Sequence, residues 1–179
     1  YIFDNGGCCI FGEDSILDNL LLFMNSIVFE KLYSDLNPTL NFQSGDVAKV
    51  PFIEPNVELL NLVPKLLFIS KSDWDSYETS WDFTELPLLS YRQEGLTLQD
   101  SYNRLREKWI EMTLEMKAME EENNRIFIEA YNLQEELTPE VPLKEITLTC
   151  NPYYRYGIDA PLLTNIYSSK DSHIIPISD

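Results

Sequence analysis

Between Leu98 and Leu137 the core-type positions recur in steps of four and three without a miss. The series runs Leu98, Tyr102, Leu105, Trp109, Met112, Met116, Met119, Asn123, Ile126, Ala130, Leu133, Leu137. Such a heptad seam specifies one long helix whose apolar stripe must lie against another helix, in this chain or in a second one. The helix would measure roughly 60 Å at ~1.5 Å per residue. Asn123 is the polar member of the seam, a residue type that sets register at such positions. Three successive methionines make the packing adaptable. Thr138-Pro139 is read as the stop.

Other segments are shorter. YIFDNGGCCIF, residues 1–11, reads as a strand, a turn at Asn5-Gly6-Gly7 and a second strand, and it looks like the middle of a longer protein. Asp14 or Ser15 can cap a helix running to about Tyr33, stopped by Asn37-Pro38. Leu40 and Phe42 alternate with polar residues as in a short strand, followed by a turn at Ser44-Gly45-Asp46. Pro55 to about Ser70 reads as a helix with a possible kink at Pro64. KEITLTC, ending at Cys150, alternates like a strand, and the chain beyond it shows no clear period. The expectation is a mainly α fold with small β elements: an N-terminal strand pair and helix, a helical segment, and one long heptad-patterned helix. Four segments follow: 1–52, the end of a recognition-like module; 53–96, a helical connector; 97–138, the long helix; and 139–179, an extended or loop segment that could be discontinuous.

SKSDWDSYETSWDF, residues 70–83, places Trp74, Tyr77 and Trp81 at i, i+3 and i+7. On a continuous helix these share one face, with Asp73, Asp75, Glu78 and Asp82 mostly on a solvated back. Ser72 with Asp75 three residues later is a weak capping-box pattern. The box reads as architecture, an aromatic clamp beside the long helix. Truncating Trp81 to alanine is then expected to cost ~3 kcal/mol or more.

Charge and cysteine content narrow the chemistry. The formal net charge is -17, so the chain as a whole repels a nucleic-acid backbone and could touch one only through a local patch. Three cysteines and one histidine offer no zinc-type spacing, so no metal site is expected. That cysteine usage fits a reducing, cytoplasmic setting. The apolar run from Ile16 to Val28 is broken by Asp18, Asn19 and Asn25 and is no membrane span. Glu120-Glu121-Glu122 reads as a solvated face. The locally neutral stretch from Asn37 to Phe52 carries Asn41, Gln43, Ser44 and Lys49, side chains suited to base edges and phosphates; an ordinary strand and turn is the alternative. Asn151-Pro152-Tyr153-Tyr154 has the outline of the Asn-Pro-Pro-Tyr loop with which adenine methyltransferases grip a flipped base. Its second proline is a tyrosine, and no strand with a Gly-rich cofactor turn precedes it. A tyrosine-rich loop is the plainer reading.

Four blocks together resemble the PglX family, the adenine-specific DNA methyltransferases of BREX phage-defence systems. They are YIFDNGGCCIF, MNSIVFEKLYSDLNPTLNFQSGDVAKVPF, SDWDSYETSWDF followed by LPLL, and NRIFIEAYNLQEELTPEVPLKEITL. In family order they cover about Tyr1 to Cys150. The resemblance implies a larger parent enzyme that transfers a methyl group from S-adenosylmethionine to adenine in double-stranded DNA. The family's cofactor and Asn-Pro-Pro-Tyr loops lie upstream of the blocks seen here. No catalytic residue is therefore carried over, and the segment alone is expected to be inactive and to bind no cofactor. Two roles follow: a non-catalytic DNA-recognition and spacer region, or an acidic module that docks another BREX subunit or a phage inhibitor through the long helix.

Overall fold

The computed structural model describes residues 9–39, 43–55 and 62–157. They divide into two compact units. One gathers the described residues up to Phe68 with Ala118–Val141; the other gathers Ile69–Lys117 with the described residues from Pro142 onward.

In the first unit, α1 (Asp14–Met24) and α2 (Ile27–Leu36) replace the single helix expected up to Tyr33. The break has a local cause. The Asn25 side-chain amide donates to the Leu21 carbonyl at 2.8 Å, and the Ser26 hydroxyl caps α2 by accepting from the Phe29 N–H. Both side chains compete with the helical ladder, which favours caps over helix interiors. A short turn of helix, α3 (Ser44–Val47), follows. The unit closes on the C-terminal half of α6 (Leu98–Ala130).

Phe23 is the hub of that closure. Its ring lies 5.4 Å from Phe29, 5.4 Å from Phe127, 5.3 Å from Phe52 and 5.7 Å from Tyr131. Val28 and Phe127 are fully buried. Two adjacent amides on α6 fix the register. Asn123 donates to the Leu22 carbonyl at 2.9 Å, and Asn124 accepts from the Ile27 N–H and donates to the Pro139 carbonyl. The Asn123 Oδ1 is buried without a partner. Here the heptad seam is satisfied within the chain. At its other end the seam is open, with Leu98 72% and Tyr102 44% exposed.

α6 ends at Ala130, not at Leu137. Asn132 adopts φ 56°, the Leu133 N–H bonds the Ile128 carbonyl, and the Asn132 N–H bonds the Glu129 carbonyl. This is a Schellman stop with asparagine in the left-handed position that glycine more often fills. Leu133 and Leu137 pack on the core from the irregular segment beyond it.

The second unit contains the end of α4 (Leu62–Trp74), the short α5 (Pro87–Ser90), the first part of α6 and α7 (Pro152–Tyr156). Pro64 lies in the first turn of α4, where its missing N–H disturbs nothing. Ser72 sits inside α4 instead of capping a new turn. The helix stops at Trp74, so the expected Trp74, Tyr77, Trp81 face does not form. Trp74 is 58% exposed and Trp81 fully exposed. Turns from Asp75 to Asp82 replace the helix, held by Lys71, which contacts Asp75 at 2.8 Å and Asp82 at 2.5 Å.

No strand occurs among the described residues. The expected strand at 144–150 is a 3-10 turn (Leu143–Glu145) and irregular chain, because its amides have other partners: Thr149 and Cys150 donate to the Asp73 carboxylate. The alternation is real, with Ile146 and Leu148 buried, but no neighbouring strand receives it. Of the proposed N-terminal strand pair only Cys9–Phe11 are described, and they are not strand. Leu40, Phe42, the six residues 56–61 of the expected second helix and everything after Gly157 lie outside the described residues.

Phe127→Ala should destabilise the chain by about 3–5 kcal/mol, whereas Trp81→Ala should stay within about 0.5 kcal/mol of wild type. Urea unfolding of both variants tests the exchange of roles between the two aromatics.

Candidate functional site

The loop carrying the proposed DNA contacts is built on Tyr33. Its phenol oxygen, on buried α2 surface, accepts from the Gln43 N–H and from the Asn37 amide, both at 3.1 Å. Asn37, itself buried, also donates to Asp46 at 3.1 Å and accepts from the Thr39 N–H at 3.0 Å. The Asn37-Pro38 signal therefore does more than end a helix: the asparagine joins the loop's two limbs. Gln43, Ser44 and Lys49 all stand exposed on this frame. Lys49 pairs with Asp46 at 2.8 Å, so its charge is partly offset. Asn41 lies outside the described residues.

A second polar centre lies in the other unit. Asp73 is buried at 5% exposure and accepts from Thr149 N–H at 2.6 Å and Cys150 N–H at 2.9 Å. The sequence pattern puts it on a solvated acidic back; the structure makes it an internal clasp between residues 76 and 77 positions apart. Burial pushes the Cys150 thiol up to about 12, with the Asp73 charge adding to the effect. The Asp75 carboxyl is held below its usual range by its hydrogen bonds from Lys71 and then Ser80. Asp75 and Asp82 thus share a surface ammonium. Among the described residues no group of three His, Cys, Asp or Glu could hold a metal ion.

Asn151 is fully buried and its amide is spent. It donates to the carbonyls of Leu143 at 2.7 Å and Ile146 at 2.8 Å, and accepts from the Tyr153 N–H as the cap of α7. A flipped base could not reach it. The plain reading of the Asn-Pro-Tyr-Tyr run as a tyrosine-rich structural element is the one the geometry supports. Beyond the cap, Tyr153 is buried while Tyr154, Arg155 and Tyr156 are exposed.

The acidic run on α6 is not a free face. Glu121 accepts from the Val141 N–H, and Glu122 forms a two-pronged pair with Arg125, which also reaches Glu129. All three glutamates are partly buried. No helix among the described residues is long and apolar enough to cross a membrane.

No protein-family model matches the chain. The adenine-specific methyltransferase BrxX of Escherichia coli O9:H4 (strain HS) is 36% identical over 160 residues, 88% of this chain and 13% of that protein. The adenine-specific methyltransferase PglX of Lacticaseibacillus casei (strain Zhang) is 33% identical over 153 residues, 83% of this chain and 13% of that protein. The chain is PglX-like. It spans about one eighth of the length of each of these curated relatives.

In this PglX-like segment, sequence reasoning missed the two residues with the most structural authority over loops, Tyr33 and Asp73. Tyr33 looked like the end of a helix, and Asp73 one carboxylate of an acidic box. Their partners are set by tertiary folding and left no local signal.

Asp73→Asn should cost about 2 kcal/mol, since an amide offers one acceptor where the carboxylate offered two to charge-assisted bonds. Hydrogen exchange at Thr149 and Cys150 should quicken first. Cys150 should alkylate far more slowly than exposed Cys9 at neutral pH. With its acidity displaced upward, the rate should climb about tenfold per pH unit until the thiol titrates. Peptide mass spectrometry across a pH series reads both.

Proposed function

We propose that this chain is a non-catalytic segment of an S-adenosylmethionine-dependent, adenine-specific DNA methyltransferase of a BREX phage-defence system. In this reading it positions double-stranded DNA while a catalytic region elsewhere in the parent protein flips and methylates the base. The observation that carries it is the identity of 36% and 33% to one short stretch of two proteins named as adenine-specific methyltransferases. The burial of Asn151 agrees with it, because the Asn151-Pro152 run is committed to structure. On this reading the segment itself binds no cofactor, and the methyl donor belongs to the remainder of the enzyme.

The Tyr33-braced loop is the first proposed DNA contact, through Gln43, Ser44 and Lys49 and, by sequence, Asn41. The frame holds the backbone while the side chains stay exposed, the arrangement a reading loop needs. The Lys49–Asp46 pair is a surface ion pair of small net value, so a phosphate can draw the lysine away. The second reading, an acidic module docking another defence subunit or a phage inhibitor, is favoured by the open N-terminal end of the α6 seam at Leu98 and Tyr102. It draws no support from Glu120–Glu122, whose carboxylates are occupied within the chain.

In the full-length protein, Lys49→Ala should weaken duplex binding about equally for all sequences and lower the salt slope by about 0.9. Unchanged affinity and slope would move the contact away from this loop.

A further inference from the structure

The Asn151 to Gly157 element presents one cation in a setting unlike the others. Arg155 lies with its guanidinium carbon 5.3 Å from the Tyr77 ring centre and 5.6 Å from that of Tyr156. Its Nη1 donates to the Tyr77 hydroxyl at 3.2 Å. Lys31, Lys49, Lys71, Lys108 and Arg125 each rest on a carboxylate. Arg155, like Arg104, which donates to the Gln93 amide oxygen, has no carboxylate ion-pair partner among the described residues, and it is set apart by its two tyrosine rings. In a chain of net charge -17 an arginine held by aromatic rings, with no carboxylate ion pair among the described residues, is a local exception to the global field.

The base beneath it is buried and hydrogen-bonded. Asn151 is fully buried, Tyr153 is 4% exposed, and Gly157 turns the chain out of α7 at φ 59°. Above that base Tyr154 is 48% and Tyr156 67% exposed. Two rings lie within cation–π range of the guanidinium, and one of its five N–H groups donates to Tyr77. Among the described residues the remaining N–H groups have no carboxylate partner, and such a fork can meet a tetrahedral anion. Exposed tyrosines beside an arginine suit a phosphate that arrives with sugar and base faces attached.

We propose that Arg155 is a contact for the phosphodiester backbone of DNA, held ready by Tyr77 and Tyr156, with Tyr154 and Tyr156 meeting the adjoining sugar or base. The proposal rests on the methyltransferase reading above and adds a contact in the second unit, away from the Gln43–Lys49 loop in sequence. Its role is positional and sequence-independent: it grips the strand without selecting bases.

The test uses the full-length methyltransferase that carries this chain, titrated with duplex DNA across a salt series, with methyl transfer and melting temperature measured in parallel. Arg155→Ala should lower affinity about eightfold at ~0.1 M salt and reduce the salt slope by about 0.9, the signature of one lost phosphate contact. Arg155→Lys should keep the slope and lose only part of the affinity, because charge survives while the fork does not. Tyr156→Ala should weaken binding with little change in slope. A fall in melting temperature with the slope intact would make Arg155 a structural residue and overturn the proposal. Unchanged DNA binding by Arg155→Ala, together with lost binding to poly-glutamate, would overturn it in favour of an acidic protein partner. A wild-type protein that neither binds DNA nor transfers a methyl group would instead remove the reading on which the proposal stands.

Discussion

The first unit depends on the burial of Phe127 against Phe23. α1 and α2 are short helices, 11 and 10 residues, lengths that are marginal in isolation. Neither owns enough apolar surface to persist without the face that the end of α6 supplies. The aromatic contacts give the driving force, and the Asn123 and Asn124 amides give the alignment. An apolar seam alone would tolerate a slip by one turn. A slip here would strand the Leu22 carbonyl and the Ile27 N–H, so the amides make one register far better than its neighbours. The unpartnered Asn123 oxygen shows that this alignment carries a cost in desolvation.

The second unit uses a different device. Asp73 terminates the useful part of α4 and gathers the backbone of 149 and 150, which aligns the Asn151 cap and the single turn of α7. A carboxylate thus does for this segment what a partner strand would do for a strand. The two centres, Tyr33 and Asp73, share a logic: a buried polar group on a helix fixes a loop through backbone N–H donors, and in the Tyr33 loop Gln43, Ser44 and Lys49 are left exposed. Exposed side chains on a braced backbone are what a protein needs for contacting a polyanion, even when its total charge opposes the encounter.

Much of this was legible from local pattern. The seam from Leu98 to Ala130 was readable because helix period and apolar spacing coincide over many turns. Two breaks left little local signal, at Asn25-Ser26 and at Asn132-Leu133. Both are asparagine-centred stops, weaker in pattern than the proline signal at Thr138-Pro139. The alternation of 144–150 suggested a strand because period-two burial arises in any extended segment lying on a core. Whether that segment is a strand depends on who receives its amides, and the receiver is Asp73.

The double-tryptophan box shows the same limit from the other side. Its spacing fits a helical face, but spacing matters only if the helix continues, and Lys71 instead draws Asp75 and Asp82 into turns. Sequence by itself determined the helical class, the long helix and, through four blocks in order, the kinship with PglX. It could do so because these rest on periodicity and on residue identity, which are written locally. Tertiary structure decided which aromatics are buried, where the helices stop, that Asn151 is a cap, and that Arg155 lies near the Tyr77 ring. Those depend on partners tens of residues away, and no local pattern records a partner that only folding brings near.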